Sequence, residues 1–334
     1  MRIALDAMGG DSAPDVEVAG AIGIAPKLHG HEVILVGDEA KLKACAAAHG
    51  GLPPNVSLSH ASQVVAMSDS PVEAIRQKRD SSVARAVEML AAGKADAVVS
   101  AGNTGAVVAL TTLRLGMLEG IRRPGIAVAM PTSTGNPTLV IDCGASVKCT
   151  HENLFQFGVM ASAYCTHVFG RPKPRIGLLN IGEETSKGNA LVKGAHELFE
   201  ASWLNYAGYV EGRDIFKGDF DVVVCEAFVG NVLLKVSEGL AETIFKLMKD
   251  SIRRTLRRRI GAMLCKYAVM EIAAKVDSSE SGGAPLLGVD GTCMICHGGS
   301  DAKAIASAIR MAAEAASHRV NQHIVAGLKA RCAS

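Results

Sequence analysis

A short polar loop at residues 100–105 lies between an apolar run and a helix-like run. Free amides at the start of a helix bind anions, and the hydroxyl groups of Ser100 and Thr104 add further donors. The two glycines of the loop lack a Cβ, so an oxyanion can approach their backbone closely. Walker and GxGxxG patterns are absent, so no nucleotide is required. We predict a phosphate site rather than a plain turn, with these ligands: Ser100, Gly102, Asn103 and Thr104.

Two further polar segments carry side chains suited to binding a substrate. Residues 183–189 place Lys187 beside two carboxylates and directly before a helical run. Lys187 is the preferred cation for a bound phosphate, and a solvated surface lysine is the alternative. Asn189 is a candidate hydrogen-bond donor in the same segment. Glu226 and Asn231 lie at another strand end and can orient a substrate by hydrogen bonding.

Two aspartates, Asp6 and Asp11, flank Gly9 and Gly10 after the first strand-like run. These carboxylates can bind a metal, position a substrate or cap the helix that follows Pro14. Capping is the simplest interpretation, above all for Asp11. No histidine stands at metal-ligand spacing, so no metal is predicted.

Residues 293–297 read Cys-Met-Ile-Cys-His, which matches both a haem-attachment pattern and a redox CxxC. We reject both interpretations. This kind of haem attachment belongs with export, and two cysteines at this spacing in a strand face opposite sides, too poorly placed to pair. His297 ends the strand and opens a loop before the final helix. It is a candidate general acid or donor to a substrate oxygen.

These loops must be positioned by a scaffold of strands and helices. Short β-branched runs alternate with alanine-rich helical segments, as in parallel sheets that are covered on both faces. After the first run, the predicted strands are residues 32–37, 96–100, 125–129, 139–142, 175–181, 221–225 and 292–296. Ligands in open α/β sheets bind at the carboxyl ends of strands, where the polar loops lie. We predict an α/β fold with a layered, largely parallel or mixed sheet and helices on both faces.

The pattern at residues 229–275 is helical for an unusually long way and is broken near Gly261. It predicts a protruding helical hairpin at about residues 237–277. No internal repeat or low-complexity linker marks a domain boundary. Residues 1–334 are therefore predicted to form a single catalytic α/β unit with a central cleft.

An arginine-rich stretch at residues 253–259 leads into an apolar stretch at residues 260–270. A cationic helix with an apolar tip suits an anionic membrane surface. Nucleic-acid binding fits less well, because stacking aromatic residues are missing apart from Tyr267. A buried dimer contact is the other alternative. The predicted membrane-contact residues are Arg253, Arg257, Leu264, Tyr267 and Val269.

Composition sets the broad class. The formal net charge of +2 gives no global field that would hold nucleic acid. The nine cysteines lack a small-domain disulfide framework and fit reduced thiols in a cytosol. No signal peptide is recognisable, and no apolar run reaches the roughly 18 to 20 residues of a membrane span. The expected location is the cytoplasm, with peripheral membrane contact at most.

Seven motifs occur in order at residues 6–11, 68–72, 100–105, 179–184, 187–189, 228–231 and 282–288; the first reads Asp-Ala-Met-Gly-Gly-Asp and the sixth Phe-Val-Gly-Asn. Together they resemble the bacterial phosphate acyltransferase family of phospholipid synthesis, and the resemblance covers almost the whole chain. It implies reversible transfer of a fatty acyl group from acyl-acyl-carrier-protein to orthophosphate. The acyl phosphate would then feed glycerol-3-phosphate acylation by a membrane enzyme.

The resemblance also implies a cytoplasmic homodimer, peripheral membrane association and no cofactor. The implied architecture is similar to that of phosphotransacetylases and the isocitrate/isopropylmalate dehydrogenases. Two positions depart from the family pattern. Glu226-Ala227 stands where Asp-Gly is usual, which leaves a catalytic role for Glu226 open. Ser146 stands where Asn is usual, so that loop either binds differently or is structural.

These residues suggest a mechanism without a protein nucleophile, because phosphate is already anionic and a thiol leaves readily. Residues of the 100–105 loop and Lys187 would hold phosphate for attack on the thioester. Asn189, Asn231 or His297 would donate to the developing oxyanion. Two rivals are a dehydrogenase, which lacks a nucleotide fingerprint here, and a non-catalytic membrane adaptor.

Overall fold

The computed structural model describes residues 1–146, 148–276 and 282–331. The strands are β1 (Arg2–Asp6), β2 (Glu32–Gly37), β3 (Val56–His60), β4 (Ala97–Ser100), β5 (Gly125–Met130), β6 (Thr138–Ile141), β7 (Ile176–Leu179), β8 (Tyr206–Val210), β9 (Val222–Val224), β10 (Ala284–Leu287) and β11 (Thr292–Ile295). The helices are α1 (Asp15–Ile24), α2 (Glu39–Ala48), α3 (Pro71–Gln77), α4 (Ser82–Ala91), α5 (Thr104–Leu115), α6 (His151–His167), α7 (Ala190–Glu200), α8 (Ala227–Arg253), α9 (Leu256–Leu264), α10 (Lys266–Val276), α11 (Ala302–Ser317) and α12 (Val320–Arg331).

The strands of the described residues form one 11-stranded sheet in the order β3-β2-β1-β4-β11-β10-β5-β6-β9-β7-β8. The strands β3, β2, β1, β4 and β11 are parallel to one another, and so are β6, β9, β7 and β8. Between these halves, β10 is antiparallel to both β11 and β5, and β5 is antiparallel to β6. The two parallel halves therefore run in opposite directions.

Successive strand residues point to opposite faces of the sheet, and each face carries its own core. Leu35 and Val99 belong to the core that α1, α6 and α11 cover, whereas Ile34 and Val98 belong to the core under α4 and α5. The apolar runs read as buried strands for this reason. The predicted α/β class, with a mixed sheet and helices on both faces, is confirmed.

The two cysteines at the end of β11, Cys293 within the strand and Cys296 just after it, follow the same alternation. Cys293 lies in the core under α4 and α5, and Cys296 lies in the opposite core. Both thiols are buried and free. Cys293 lies in β11 and Cys296 directly follows it, and their placement on opposite faces confirms that the two thiols are not placed to pair.

Two local predictions are wrong. The long helical stretch breaks at Arg254 and Thr255 rather than near Gly261, because the Thr255 hydroxyl accepts a hydrogen bond from the amide of Arg258 and starts α9. Gly261 lies inside α9. Asp11 does not cap α1: the residue at the N-cap position is Pro14, and no side chain caps this helix.

Three strands were not predicted. The strands β3 and β8 form the two edges of the sheet and have partly exposed residues, so they lack a continuous apolar run. The strand β10 is short and contains Pro285, which disfavours a central-strand prediction. None of the described helices is long and apolar enough to cross a membrane.

Candidate active site

The loop after β1 is held against the loop after β4 by a buried carboxylate. Asp6 is 1% exposed and accepts hydrogen bonds from the Ser100 hydroxyl at 2.7 Å and from the amide of Met8 at 3.3 Å. Burial raises the pKa of Asp6, and its hydrogen bonds to Ser82, Ser100 and Met8 oppose this shift. Asp6 therefore joins neighbouring strands at the base of both loops.

Glycine is needed where these two loops touch. A Cβ on Gly9 would lie 2.5 Å from the Asp6 carboxylate and 2.8 Å from the amide nitrogen of Gly102. A Cβ on Gly10 would overlap the carboxylate of Glu17. The Gly-Gly pair thus permits close packing of backbone against backbone and against a buried carboxylate.

Most side chains of the 100–105 loop bind the protein itself. The Ser100 hydroxyl accepts a hydrogen bond from the amide of Gly102 at 3.1 Å, in addition to its bond to Asp6. Asn103 caps α5 by accepting from the amide of Ala106, and its side-chain nitrogen donates to the carbonyls of Met67 and Asp69. The predicted ligands Ser100 and Asn103 therefore set the shape of the loop.

What remains for a ligand is the first turn of α5. Thr104 is exposed, and the amides of Thr104 and Gly105 have no partner within the helix, as at any helix start. Packing against Pro71 requires glycine at position 105, because a Cβ there would lie 2.8 Å from the proline ring. The α5 N-terminus keeps the donor character that an anion needs.

The loop after β11 joins the other two. The amide of Cys296 donates to the carbonyl of Ser100 at 2.8 Å, and the amide of Asp11 donates to the carbonyl of Gly298 at 2.9 Å. His297 is exposed, and its Nδ1 accepts a hydrogen bond from the amide of Gly299 at 3.1 Å. In the neutral ring this contact assigns the proton to Nε2. His297 thus presents an N–H donor to solvent at the same edge as α5.

The loops after β1, β4 and β11 are here called the first loop group. It brings together nine of the sequence-predicted residues: Asp6, Gly9, Gly10, Asp11, Ser100, Gly102, Asn103, Thr104 and His297. Strands β1, β4 and β11 are adjacent and parallel, so their carboxyl ends share one edge of the sheet.

The loop after β6 surrounds a second buried carboxylate. Asp142 is fully buried and accepts hydrogen bonds at 2.8–3.0 Å from four backbone amides: Ile126, Gly144, Ala145 and Ser146. Burial raises the pKa of Asp142, and these amides oppose the shift. The Ser146 hydroxyl donates to the carbonyl of Pro124, which gives this departure from the family pattern a structural role.

The start of α8 packs against the Asp142 loop. A Cβ on Gly230 would overlap the carbonyl oxygen of Asp142, so glycine is required there. A Cβ on Gly144 would lie 3.8 Å from the side-chain oxygen of Asn231, which is exposed. Glu226 occupies the N-cap position of α8, but its side chain makes no capping hydrogen bond.

The loop after β7 presents the predicted lysine. Lys187 is exposed and forms no ion pair within residues 1–146, 148–276 and 282–331. Gly188 has a φ of 90°, and a Cβ there would lie 2.6 Å from the side-chain oxygen of Asn180. Asn189 caps α7 by accepting from the amide of Val192 at 2.9 Å. The side-chain oxygen of Asn189 is therefore used for capping, and only its side-chain nitrogen remains to donate to a substrate.

The loops after β6, β9 and β7 are here called the second loop group; it contains Glu226, Asn231, Lys187 and Asn189. The two halves of the sheet run in opposite directions. The carboxyl ends of their strands, which carry the two loop groups, therefore point in opposite directions. The twist between successive strands turns the halves relative to each other. Among the described residues, no hydrogen bond or ion pair joins the two groups.

Comparison with known proteins bears on this arrangement of loops. A family model described as a fatty acid synthesis protein matches residues 1–323. The chain belongs to this family. A phosphate acyltransferase from Geotalea daltonii is 50% identical over 98% of this chain and 94% of its own length. Another phosphate acyltransferase, from Syntrophotalea carbinolica, is 47% identical over 98% of this chain and 93% of its own length.

Solved structures show the same fold at low sequence identity. A phosphotransacetylase from Streptococcus pyogenes superposes with a TM-score of 0.65 at 17% identity, covering 94% of each chain. The phosphotransacetylase EutD from Staphylococcus aureus gives 0.61 at 16% identity, covering 95% of this chain and 94% of its own. A 4-hydroxythreonine-4-phosphate dehydrogenase from Klebsiella pneumoniae gives 0.55 at 14% identity, covering 94% and 98%. The fold resemblance to phosphotransacetylases is confirmed.

The family assignment makes this chain an acyltransferase, which confirms the prediction that it is an enzyme. Sequence reasoning missed Glu17, a residue of α1 that belongs with the first loop group because it packs against Gly10. Glu17 is 1% exposed, lies under Gly10, and has one carboxylate oxygen without a hydrogen-bond partner. Burial raises its pKa from 4.5 to about 7. An acid between Val16 and Val18 on a buried helix face was the available signal.

Proposed function

We propose that this protein transfers a fatty acyl group reversibly from acyl-acyl-carrier-protein to orthophosphate, giving acyl phosphate and the free carrier thiol. The observation that carries the proposal is the pairing of two donors in the first loop group: the α5 N-terminus and the Nε2–H of His297. The names of the relatives in the same family, phosphate acyltransferase, support the substrate phosphate.

The proposed reaction is direct attack. Orthophosphate binds at the first turn of α5, where Thr104 and the free amides donate to its oxygens. A phosphate oxygen attacks the thioester carbonyl carbon, the carbonyl oxygen gains negative charge, and His297 donates a hydrogen bond to it. The carbonyl re-forms as the C–S bond breaks, and the carrier thiolate takes the proton that the attacking hydrogenphosphate loses. Acyl phosphate and thiol are the only products.

The cysteines fit a reaction without a covalent intermediate. A nucleophilic cysteine needs a lowered pKa and access to solvent. Burial instead raises the pKa of Cys149, beside the second loop group, to about 12. Burial raises the pKa of Cys296, beside the first loop group, to about 12 as well. Neither thiol is poised to attack a thioester.

A phosphate bound at the first loop group needs a cation, and the second loop group can supply one. Asp6 and Asp11 are acidic residues of the first loop group, and a carboxylate close to a phosphate dianion disfavours its binding unless a cation approaches. Lys187 is exposed and free of an ion pair among the described residues, and it is the proposed cation. Asn231, Glu226 and the side-chain nitrogen of Asn189 are proposed to orient the acyl donor. This part of the proposal requires the twist of the sheet to bring the two loop groups, whose strands run in opposite directions, to a common cleft within one catalytic unit.

The first experiment combines palmitoyl-carrier protein, orthophosphate and the full-length enzyme. We expect release of carrier thiol that depends on phosphate, with acyl phosphate identified by mass spectrometry. Thiol release without acyl phosphate would show hydrolysis. Absence of both products, from folded protein that binds phosphate, would favour an adaptor or a different acyl donor.

We also propose that the α9–α10 region contacts the cytoplasmic membrane surface, where a membrane glycerol-3-phosphate acyltransferase would take the acyl phosphate. Leu264 and Tyr267 are 81% and 85% exposed, whereas Val269 is half-buried. Arg253 and Arg257 lie close by in sequence and are exposed. Apolar tips beside cations bind anionic lipid surfaces.

Vesicle flotation with and without anionic lipid tests the membrane contact. The double variant Leu264→Ser with Tyr267→Ser should lose flotation on anionic vesicles and keep soluble acyl transfer. Loss of both properties would assign this region to folding or to a dimer.

We propose that α8 forms a homodimer contact. Val232, Val236, Leu240, Ile244 and Leu247 are each 45% exposed or more and recur every three or four residues. Such a stripe is the seam through which helices pair. Sedimentation should show a dimer for the wild type and a monomer for Leu240→Glu, whereas Lys246→Glu on the same helix should remain dimeric. A dimeric Leu240→Glu variant would refute this contact.

A further inference from the structure

Three side chains with metal-binding atoms converge where α1 and α2 meet. Asp15 is the first residue of α1, and Cys45 and His49 lie four residues apart at the end of α2. The Asp15 carboxylate oxygen Oδ1 lies 2.8 Å from His49 Nε2 and 3.8 Å from Cys45 Sγ. All three candidate ligand atoms lie within 4.8 Å of one another. Residues four apart share one helix face, so α2 supplies two ligands side by side.

The chemistry of this trio matches a borderline-soft divalent ion. Thiolate, imidazole and carboxylate are the ligand types that zinc takes, with bonds of about 2.0–2.3 Å. Tetrahedral bonds of that length place ligand atoms about 3.3–3.8 Å apart. The Cys45–Asp15 spacing already lies in this range, and the Asp15–His49 pair has to open by about half an ångström. The Asp15 side chain is 71% exposed, so it can make that adjustment.

The surroundings favour a cation. The Asp15 carboxylate supplies a negative charge beside the two other ligand atoms. The Cys45 thiol donates a hydrogen bond to Asp15 Oδ1 and therefore carries a proton in the ion-free protein. A bound dication displaces that proton and takes the thiolate. In the absence of an ion, the three residues form only a polar contact between two helices.

We propose that Asp15, Cys45 and His49 bind one divalent transition-metal ion of the zinc class. Three protein ligands leave a fourth position for water or an added ligand. The ion links the first turn of α1, which directly follows the Gly9-Gly10 loop, to the end of α2. Binding should therefore raise the thermal unfolding temperature of the whole chain, because the ion binds the folded state.

Cobalt(II) titration of the full-length, chelator-stripped protein tests the site, because a thiolate ligand gives cobalt a charge-transfer absorption band. We expect saturation at one equivalent per chain, with the band absent in Cys45→Ser. Affinity should fall by about tenfold or more in His49→Ala and Asp15→Asn. The matched controls are Cys265→Ser, which removes an exposed thiol, and His29→Ala; both should bind cobalt like the wild type.

Zinc provides the second readout. It should displace cobalt and raise the unfolding temperature of the wild type but not of Cys45→Ser. Absence of the band in the wild type, its persistence in Cys45→Ser, or unchanged affinity in both His49→Ala and Asp15→Asn would each overturn the proposal. Neither readout uses enzymatic activity, so the result stands apart from the proposed acyl transfer.

Discussion

The two loop groups use their polar residues differently. In the first group, Asp6, Ser100 and Asn103 bind neighbouring loops, whereas Asp11, Thr104 and His297 are exposed, and the first amides of α5 have no partner within the helix. In the second group, Asp142 binds its own loop, whereas Lys187 and Asn231 are exposed. The comparison shows that a polar motif is not a set of ligands: most of its side chains fix the loop, and a few exposed groups and backbone amides remain for a substrate.

The groups also differ in the hydrogen bonds that their buried carboxyl groups receive. Asp142 accepts hydrogen bonds from four backbone amides, which oppose the rise in its pKa that burial causes. Glu17 in the first group has an unpartnered oxygen and a pKa of about 7. The first group thus holds a proton at neutral pH that can be released, and it carries less fixed negative charge near a bound phosphate.

The largest expected effect is that of replacing His297, the proposed oxyanion donor of the first loop group. Removing its Nε2–H donor in His297→Ala should lower turnover on the order of 100-fold, because the oxyanion loses a preorganised donor. His297→Gln, which retains an N–H group, should recover part of the loss. The measurement is turnover at saturating phosphate and acyl donor.

The control for His297 is His318→Ala at the exposed end of α11, which should leave turnover unchanged. Near-normal turnover in folded His297→Ala would remove the first loop group from the chemistry. If Lys187→Ala also kept a near-normal kcat/KM for phosphate, the whole site assignment would be wrong.

The next effect concerns the proton on Glu17. Its pKa is raised from 4.5 to about 7 on folding, so the folded state holds a proton that the unfolded chain releases in that window. The free energy of unfolding should therefore fall as pH rises from 5 to 7, on the order of 2 kcal/mol from this group. Glu17→Gln has no proton to release. The free energy of unfolding of this variant, relative to that of the wild type, should therefore rise by that amount between pH 5 and pH 7.

Urea unfolding at pH 5, 6 and 7 measures the Glu17 effect. Asp6 and Asp142 remain in both proteins, so their shared pH dependence cancels in the difference. Parallel curves for the wild type and Glu17→Gln would show that Glu17 ionises at its ordinary pKa. Glu17 would then hold no proton at neutral pH, and it would not differ from Asp142 in this way.

The smallest effect is expected at Lys187. As a single cation for a phosphate dianion, it should contribute to phosphate binding, so Lys187→Ala should raise the KM for phosphate about tenfold. Lys173→Ala, an exposed lysine outside both groups, is the control and should change nothing. An unchanged KM for phosphate in Lys187→Ala would confine phosphate binding to the first group and leave the second group with the acyl donor.

The sequence predicted the strands whose ends carry the site, because fully buried strands such as β4 and β9 read as apolar runs. It did not predict that β11, near the end of the chain, lies between β4 and β10, since such pairing depends on contacts far apart in sequence. Nor did it separate capping from ligand binding at Asn103 and Asn189: both side chains suit either role, and only their contacts decide.

The central claim is direct attack by bound phosphate, and a single-turnover experiment tests it most directly. Enzyme in excess over acyl-carrier protein is mixed with or without orthophosphate, and carrier thiol and acyl phosphate are quantified together. The account predicts no thiol release without phosphate, and equal amounts of thiol and acyl phosphate with it. Stoichiometric thiol release in the absence of phosphate would reveal an acyl-enzyme or hydrolysis and would contradict the account.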